Sequence, residues 1–267
     1  MFDVKRMLLS AAVISFAACA PAQAHAGTAN AAAPATATKG EPNISGVWEI
    51  YPDPFAGEEN TFLELPVPGG GPKLKEPYAS AWKKLRDERE TLLKAGTPRA
   101  DPSTKCLPEG MPMIMGAIFP LEILQTPGRV TVLAEFLTQT RRIYLNRPMP
   151  PLDELNPNFY GFSSAKWEGD TLIVTTKGVK EDVDFFEIPH SPEMVITERI
   201  RLTGPDLMED EITIEDPKML VEPYRFTYGY KRNPDYEMQE YFCDREDPLF
   251  KVTDDGTVEM KTGDEIK

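Results

Sequence analysis

The chain has 267 residues, of which 41% are hydrophobic, 9% aromatic and 27% charged, the balance of a globular protein of one or two domains. Its 43 acidic and 29 basic residues give a net charge of -14, which argues against a nucleic-acid partner, because phosphate binding needs a positive footprint. Only two histidines occur, His25 and His190, so most histidine-based zinc sites are excluded, and 26 prolines favour short elements joined by turns.

Residues 1–26 have the build of a secretory signal. Lys5 and Arg6 precede an apolar run from Met7 to Ala18, and small residues follow up to Ala26. Two processing routes fit: cleavage after Ala24 or Ala26, or acylation of Cys19 at the end of the lipobox-like Phe16-Ala-Ala-Cys19. On the second route the Ala/Thr/Pro-rich stretch 27–40 is a flexible tether from the membrane. Export to the periplasm or envelope leaves Cys106 and Cys243 as one pair where disulfides persist. They form a bridge, or stay two buried thiols.

From residue 41 onward the pattern reads as a single β-rich domain. Ile44 to Ile50 is a first strand, and 54–76 is a Pro/Gly-rich loop containing Gly69-Gly-Gly71. Pro77 opens a helix that runs to about Ala95, with Tyr78, Trp82, Leu85, Leu92 and Leu93 at helical spacing and Gly96 as its stop. Lys83, Lys84, Asp87 and Glu88 form its solvated face.

Strand patterns follow. Leu121–Gln125 and Val130–Phe136 flank the turn dipeptide Pro127-Gly128, and Arg141–Leu145 comes next. Ser164–Trp167 and Thr171–Thr176 flank Gly169-Asp170. Met194–Leu202 precedes Leu207–Asp216, Tyr224–Lys231 is expected to pair with Met238–Cys243, and Lys251–Val252 with Val258–Lys261. Short strands with no βαβ alternation predict an antiparallel, lipocalin-like β-barrel or strongly curved sheet with one helix packed against it.

Several residues could carry function. Tyr224, Phe226, Tyr228 and Tyr230 alternate on one strand face and, with Trp48, can line a cavity for a small apolar or aromatic ligand, or simply fill the core. Glu198 interrupts the apolar row Met194, Ile196, Ile200, Leu202; it needs Arg141, Arg142 or His190 as partner, and if desolvated its pKa rises. His190 and Glu198 would make an acid–base pair at the barrel mouth, with Arg142 holding an anionic group and Tyr228 or Tyr230 donating a hydrogen bond. Met111, Met113 and Met115 alternate and could meet Cu(I), although Met is also a packing residue. The acidic positions Glu209, Asp210, Glu211, Glu215 and Asp216 read as a solvated face rather than a calcium site. No dinucleotide fingerprint, phosphate-cradling glycine loop or Cys-x-x-Cys is present, so no cofactor is expected.

Gly46-Val-Trp48 is similar to the Gly-x-Trp signature of lipocalins. A broader resemblance covers most of residues 44–243. Its elements are Cys106-Leu-Pro-Glu-Gly-Met-Pro112, Glu122-Ile-Leu-Gln-Thr-Pro-Gly128, Arg141-Arg-Ile-Tyr144, Trp167-Glu-Gly-Asp-Thr-Leu172, Pro189-His-Ser191, Glu198-Arg-Ile200, Glu215-Asp-Pro217 and Tyr241-Phe-Cys243. On these the chain resembles a large group of uncharacterised exported bacterial β-rich proteins. The resemblance implies a shared exported β fold and no particular activity. The chain departs from the group at Leu145-Asn-Arg147, where Asp-Gly-Arg is expected. Three functions are open: a binding protein for a small apolar or aromatic molecule, a cofactor-free lyase or isomerase, and a structural or interaction protein of the envelope.

Overall fold

The computed structural model describes residues 41–54, 66–116, 118–243 and 250–260. The expected signal peptide, the 27–40 tether and Cys19 lie outside these residues. Alternation of apolar and polar side chains sets the architecture, as one strand shows. Over Val195–Gly204 (β7), Ile196, Glu198 and Ile200 are buried while Arg199, Arg201 and Thr203 are exposed. The other barrel strands are Gly46–Ile50 (β1), Leu121–Thr126 (β2), Arg129–Ala134 (β3), Gln139–Leu145 (β4), Phe162–Glu168 (β5), Thr171–Lys177 (β6), Leu207–Glu215 (β8) and Tyr224–Arg232 (β9).

These nine strands close in chain order into a barrel, which leaves no free edge. Closure comes from β1 against β9, with Trp48 opposite Arg232 and Ile50 opposite Tyr230. This corrects the expected pairing of Tyr224–Lys231 with 238–243. The free side of β9 is taken by β1, and 238–243 is instead tied to the β3–β4 connection, where the Gln239 amide donates to Glu135 and the Thr138 hydroxyl to the Tyr241 carbonyl. A second departure from the all-antiparallel expectation is β4 beside β5, which run parallel. The segment 146–161 between them travels back along the barrel before β5 begins. Phe250–Val252 (β10) and Val258–Met260 (β11) form a separate hairpin.

The two ends of the barrel differ. One is finished by tight turns: Pro127-Gly128, Gly169-Asp170 and Pro205-Asp206. The other receives the connections 51–120, 178–194 and 216–223. Within the first of these lies the helix Tyr78–Lys94 (α1), capped where predicted by Gly96 at φ +76°. No residue of α1 is fully buried. It is anchored by Trp82, whose indole N–H donates to the Phe186 carbonyl at 2.9 Å, and by Arg86 and Arg89, which both pair with Glu187. A disulfide joins Cys106 to Cys243, 137 residues apart.

Candidate functional site

Mid-barrel the interior is solid and ionic. Arg141 and Glu198 are wholly buried and form a bidentate pair, Nη1 to Oε1 at 2.7 Å and Nη2 to Oε2. Arg141 Nη2 also donates to the Thr176 and Ser163 hydroxyls at 3.2 and 3.3 Å. Asp210 lies beside this pair, wholly buried and against the Glu198 carboxylate. Burial, reinforced by the Glu198 charge, pushes its carboxyl well above the usual range. Its neighbours Glu209 and Glu211 face outward, so the solvated-face reading holds for them and fails for Asp210 and Asp216, which the strand alternation turns inward.

Glu198 therefore has the partner that its apolar face demanded, and that partner is Arg141. Arg142, one residue on, is exposed on the outer face and cannot reach a ligand inside. Among the described residues, His190 and Glu198 open onto no common cleft. His190 is buried beside a void of about 20 Å³ lined by Met111, Phe185, Met194 and Tyr224, whereas Glu198 lines none of the clefts. The His190 ring nitrogens lie beside the Ser191 and Val183 backbone without closing a hydrogen bond of good geometry, and burial holds the ring below its ordinary pKa. Asp216 serves Ser191 instead, accepting from its amide at 2.6 Å and its hydroxyl at 2.9 Å.

The aromatic row is also divided. Tyr230 is sealed in the core and donates to the Met115 carbonyl at 2.7 Å, and Tyr224 donates to the Pro68 carbonyl. Phe226 and Tyr228 line the mouth cleft, while Tyr224 borders the small void beside His190. Trp48 is fully buried at the tight-turn end, with the Arg232 guanidinium 4.2 Å from its ring centre, away from the clefts. Of the three methionines, Met111 and Met115 are fully buried in a plug, 110–116, set into the mouth, while Met113 faces the cleft. Three thioethers divided this way do not share an open copper face.

The open space is at the mouth, beneath α1. One cleft of about 110 Å³ is lined by apolar Met113, Ile118, Phe136 and Phe186 and by polar Arg86, Arg89, Glu109 and Asp184. An adjoining one of about 290 Å³ holds Ile50, Phe226 and Tyr228 and shares Met113, Gly116, Ile118 and Phe186 with the first. Gly116 is the contact point, because a Cβ there would run into the Tyr228 hydroxyl and ring. That hydroxyl has no hydrogen-bond partner among the described residues.

Glu109 is the best-placed chemical group in the cleft. Gln139 fixes it twice, donating to Oε2 at 3.2 Å and accepting from the Glu109 amide at 3.0 Å. Gln139 is itself held by the Phe136 carbonyl. Gly110, at φ +71°, turns the chain immediately after Glu109, where a side chain would strike the Phe159 carbonyl. Burial, opposed by the Gln139 hydrogen bond, pushes the Glu109 carboxyl up to about 7. Asp184 is raised by burial as well. Glu109 falls within the Cys106–Pro112 stretch that carries the resemblance, where no spacing singles it out. Its position between the bridge cysteine and the Met-rich plug was the available signal.

Neither protein-family models nor curated proteins give a match to the chain.

Proposed function

We propose that the protein is an exported binding protein for a small, mainly apolar or aromatic molecule, held at the mouth of the barrel and not in its lumen. The observation that carries this reading is the joined cleft. Its walls are Phe136, Phe186, Phe226, Met113 and Ile118, and a few polar groups converge on it, the usual make-up of a ligand pocket. The signal-like residues 1–26 and the disulfide support export. The test is titration with the fluorescent aromatic anion 1-anilinonaphthalene-8-sulfonate, with direct native mass spectrometry of the protein from its own host. Phe186→Ala should weaken binding by about tenfold through lost apolar contact, and Trp48→Phe should leave it unchanged. Equal loss in both variants, or no binding, would remove the assignment.

A further inference from the structure

We propose that this cleft is also a cofactor-free proton-transfer site, in which Glu109 removes a proton from carbon next to a carbonyl and Tyr228 hydrogen-bonds the oxygen that gains the charge. The substrate class is a planar, largely apolar ketone. The inference rests on the cleft being a ligand site and gives it chemistry.

Three features of the geometry support it. First, Glu109 is held by Gln139 through Oε2 alone, and Oε1 has no hydrogen-bond partner among the described residues. A base needs a fixed carboxylate with one oxygen free toward the substrate. Second, the Tyr228 hydroxyl lies on Gly116, a residue that also walls the Glu109 cleft, so donor and base line adjoining clefts with shared walls. The two groups feel each other electrostatically, and burial lifts the Tyr228 phenol far above its ordinary value, which keeps it a donor. Third, Phe136, Phe186 and Met113 give an apolar bed in which a carbonyl dipole and a developing enolate are not screened by water.

The balance of the step is simple. The C–H bond breaks and its proton goes to Glu109 Oε1. The electron pair forms a C=C bond while the carbonyl π pair moves to oxygen, which accepts from Tyr228. The proton then returns to the same carbon, which exchanges it or inverts a stereocentre there, or, in a β,γ-unsaturated ketone, to the γ carbon, giving the conjugated isomer. Nothing is oxidised or reduced. The charged and titratable groups around Glu109 are Asp101, Asp184, Glu187, Arg86 and Arg89 in the cleft, with Tyr160 behind Gln139. Glu109 itself, at about 7, is half ionised at neutral pH, where a general base works best.

The test is deuterium wash-in to 2-tetralone in D2O, followed by proton NMR with the full chain. The protein should speed exchange by about 100-fold or more over buffer, with a rate that rises with pH and levels above about 7. Glu109→Gln should return exchange to the buffer rate while leaving tetralone affinity intact, and Tyr228→Phe should lower it by about 100-fold. Glu109→Asp keeps the charge but withdraws it by one methylene, and should keep the fold with a reduced rate. Tetralone bound without accelerated exchange, or Glu109→Gln as fast as the native chain, overturns the inference and leaves the binding function standing. If tetralone fails to bind while the anilinonaphthalene probe does, the substrate class is wrong. If neither binds, the function on which the inference rests is wrong too.

Discussion

Replacing Arg141 by methionine should cost far more stability than replacing Glu198 by glutamine, although the two side chains share one bidentate contact. Both are completely buried, and Asp210 sits beside them with its carboxyl held well above the usual range. Arg141→Met strands two carboxyls in an apolar wall, a loss of about 3–5 kcal/mol. At ~2–4 °C per kcal/mol for a domain of this size, that lowers the melting temperature by about 6–20 °C. Glu198→Gln leaves the guanidinium in place. Asp210, already within electrostatic reach of Arg141, then ionises and takes over the pairing. The cost falls to about 1–2 kcal/mol. Glu198→Gln with Asp210→Asn removes both carboxylates and strands the cation, so the double variant should lose about 2–3 kcal/mol more than the sum of the singles. The pH dependence follows the same logic. Burial holds the native Asp210 carboxyl well above its unfolded value, so its contribution is full below about 4 and is lost as pH rises through the raised native value. Asp210→Asn should flatten that slope, as should Glu198→Gln, in which Asp210 is charged in both states. Urea and thermal melts followed by circular dichroism at several pH values give all these quantities. Equal losses for Arg141→Met and Glu198→Gln, or strict additivity in the double variant, would refute the substitution of one carboxyl for the other.

Three further outcomes are expected. His190 is neutral and held below its ordinary pKa, so its contribution is full above about 6.5 and is lost as pH falls through the lowered native value; His190→Leu should flatten acid unfolding over that window in pH-dependent melts. Cys106→Ser with Cys243→Ser opens a loop of 137 residues and should cost about 5 kcal/mol in the chain-entropy treatment, read as a shift in the urea midpoint. Gly116→Ala puts a methyl group onto the Tyr228 ring and should cost about 1–3 kcal/mol and lower probe affinity, whereas Gly128→Ala, where a Cβ meets nothing, should spare affinity.

Much of the barrel was legible because period-two alternation reports directly which side of a strand is covered. The Pro127-Gly128 and Gly169-Asp170 hairpins fall where the turn chemistry put them. Glu198 was recognisable as an anomaly, since a carboxylate in an apolar row must have a partner. The same alternation would have exposed Asp210, which shares a face with Met208, Ile212 and Ile214; the surrounding acidic run masked it. The mouth was less legible. Closure of β1 on β9 and the parallel neighbours β4 and β5 are non-local facts that no window of sequence contains. Likewise Glu109, Gln139, Phe186 and Tyr228 come from four separate stretches of chain, none periodic in a way that would announce the others.

The closing strand has a consequence for the order of assembly. β1 is five residues long and touches its two neighbours through three residue pairs each, and its side-chain hydrogen bond from Asn233 to Glu49 spans 184 residues. The first strand to leave the ribosome thus waits for the last barrel strand before it has a complete site. Folding of so non-local a closure is slow, and a chain lacking β9 leaves two strands unpaired. A barrel sealed this way stays open until nearly its whole length is free, which is the state in which a chain can still be threaded across a membrane.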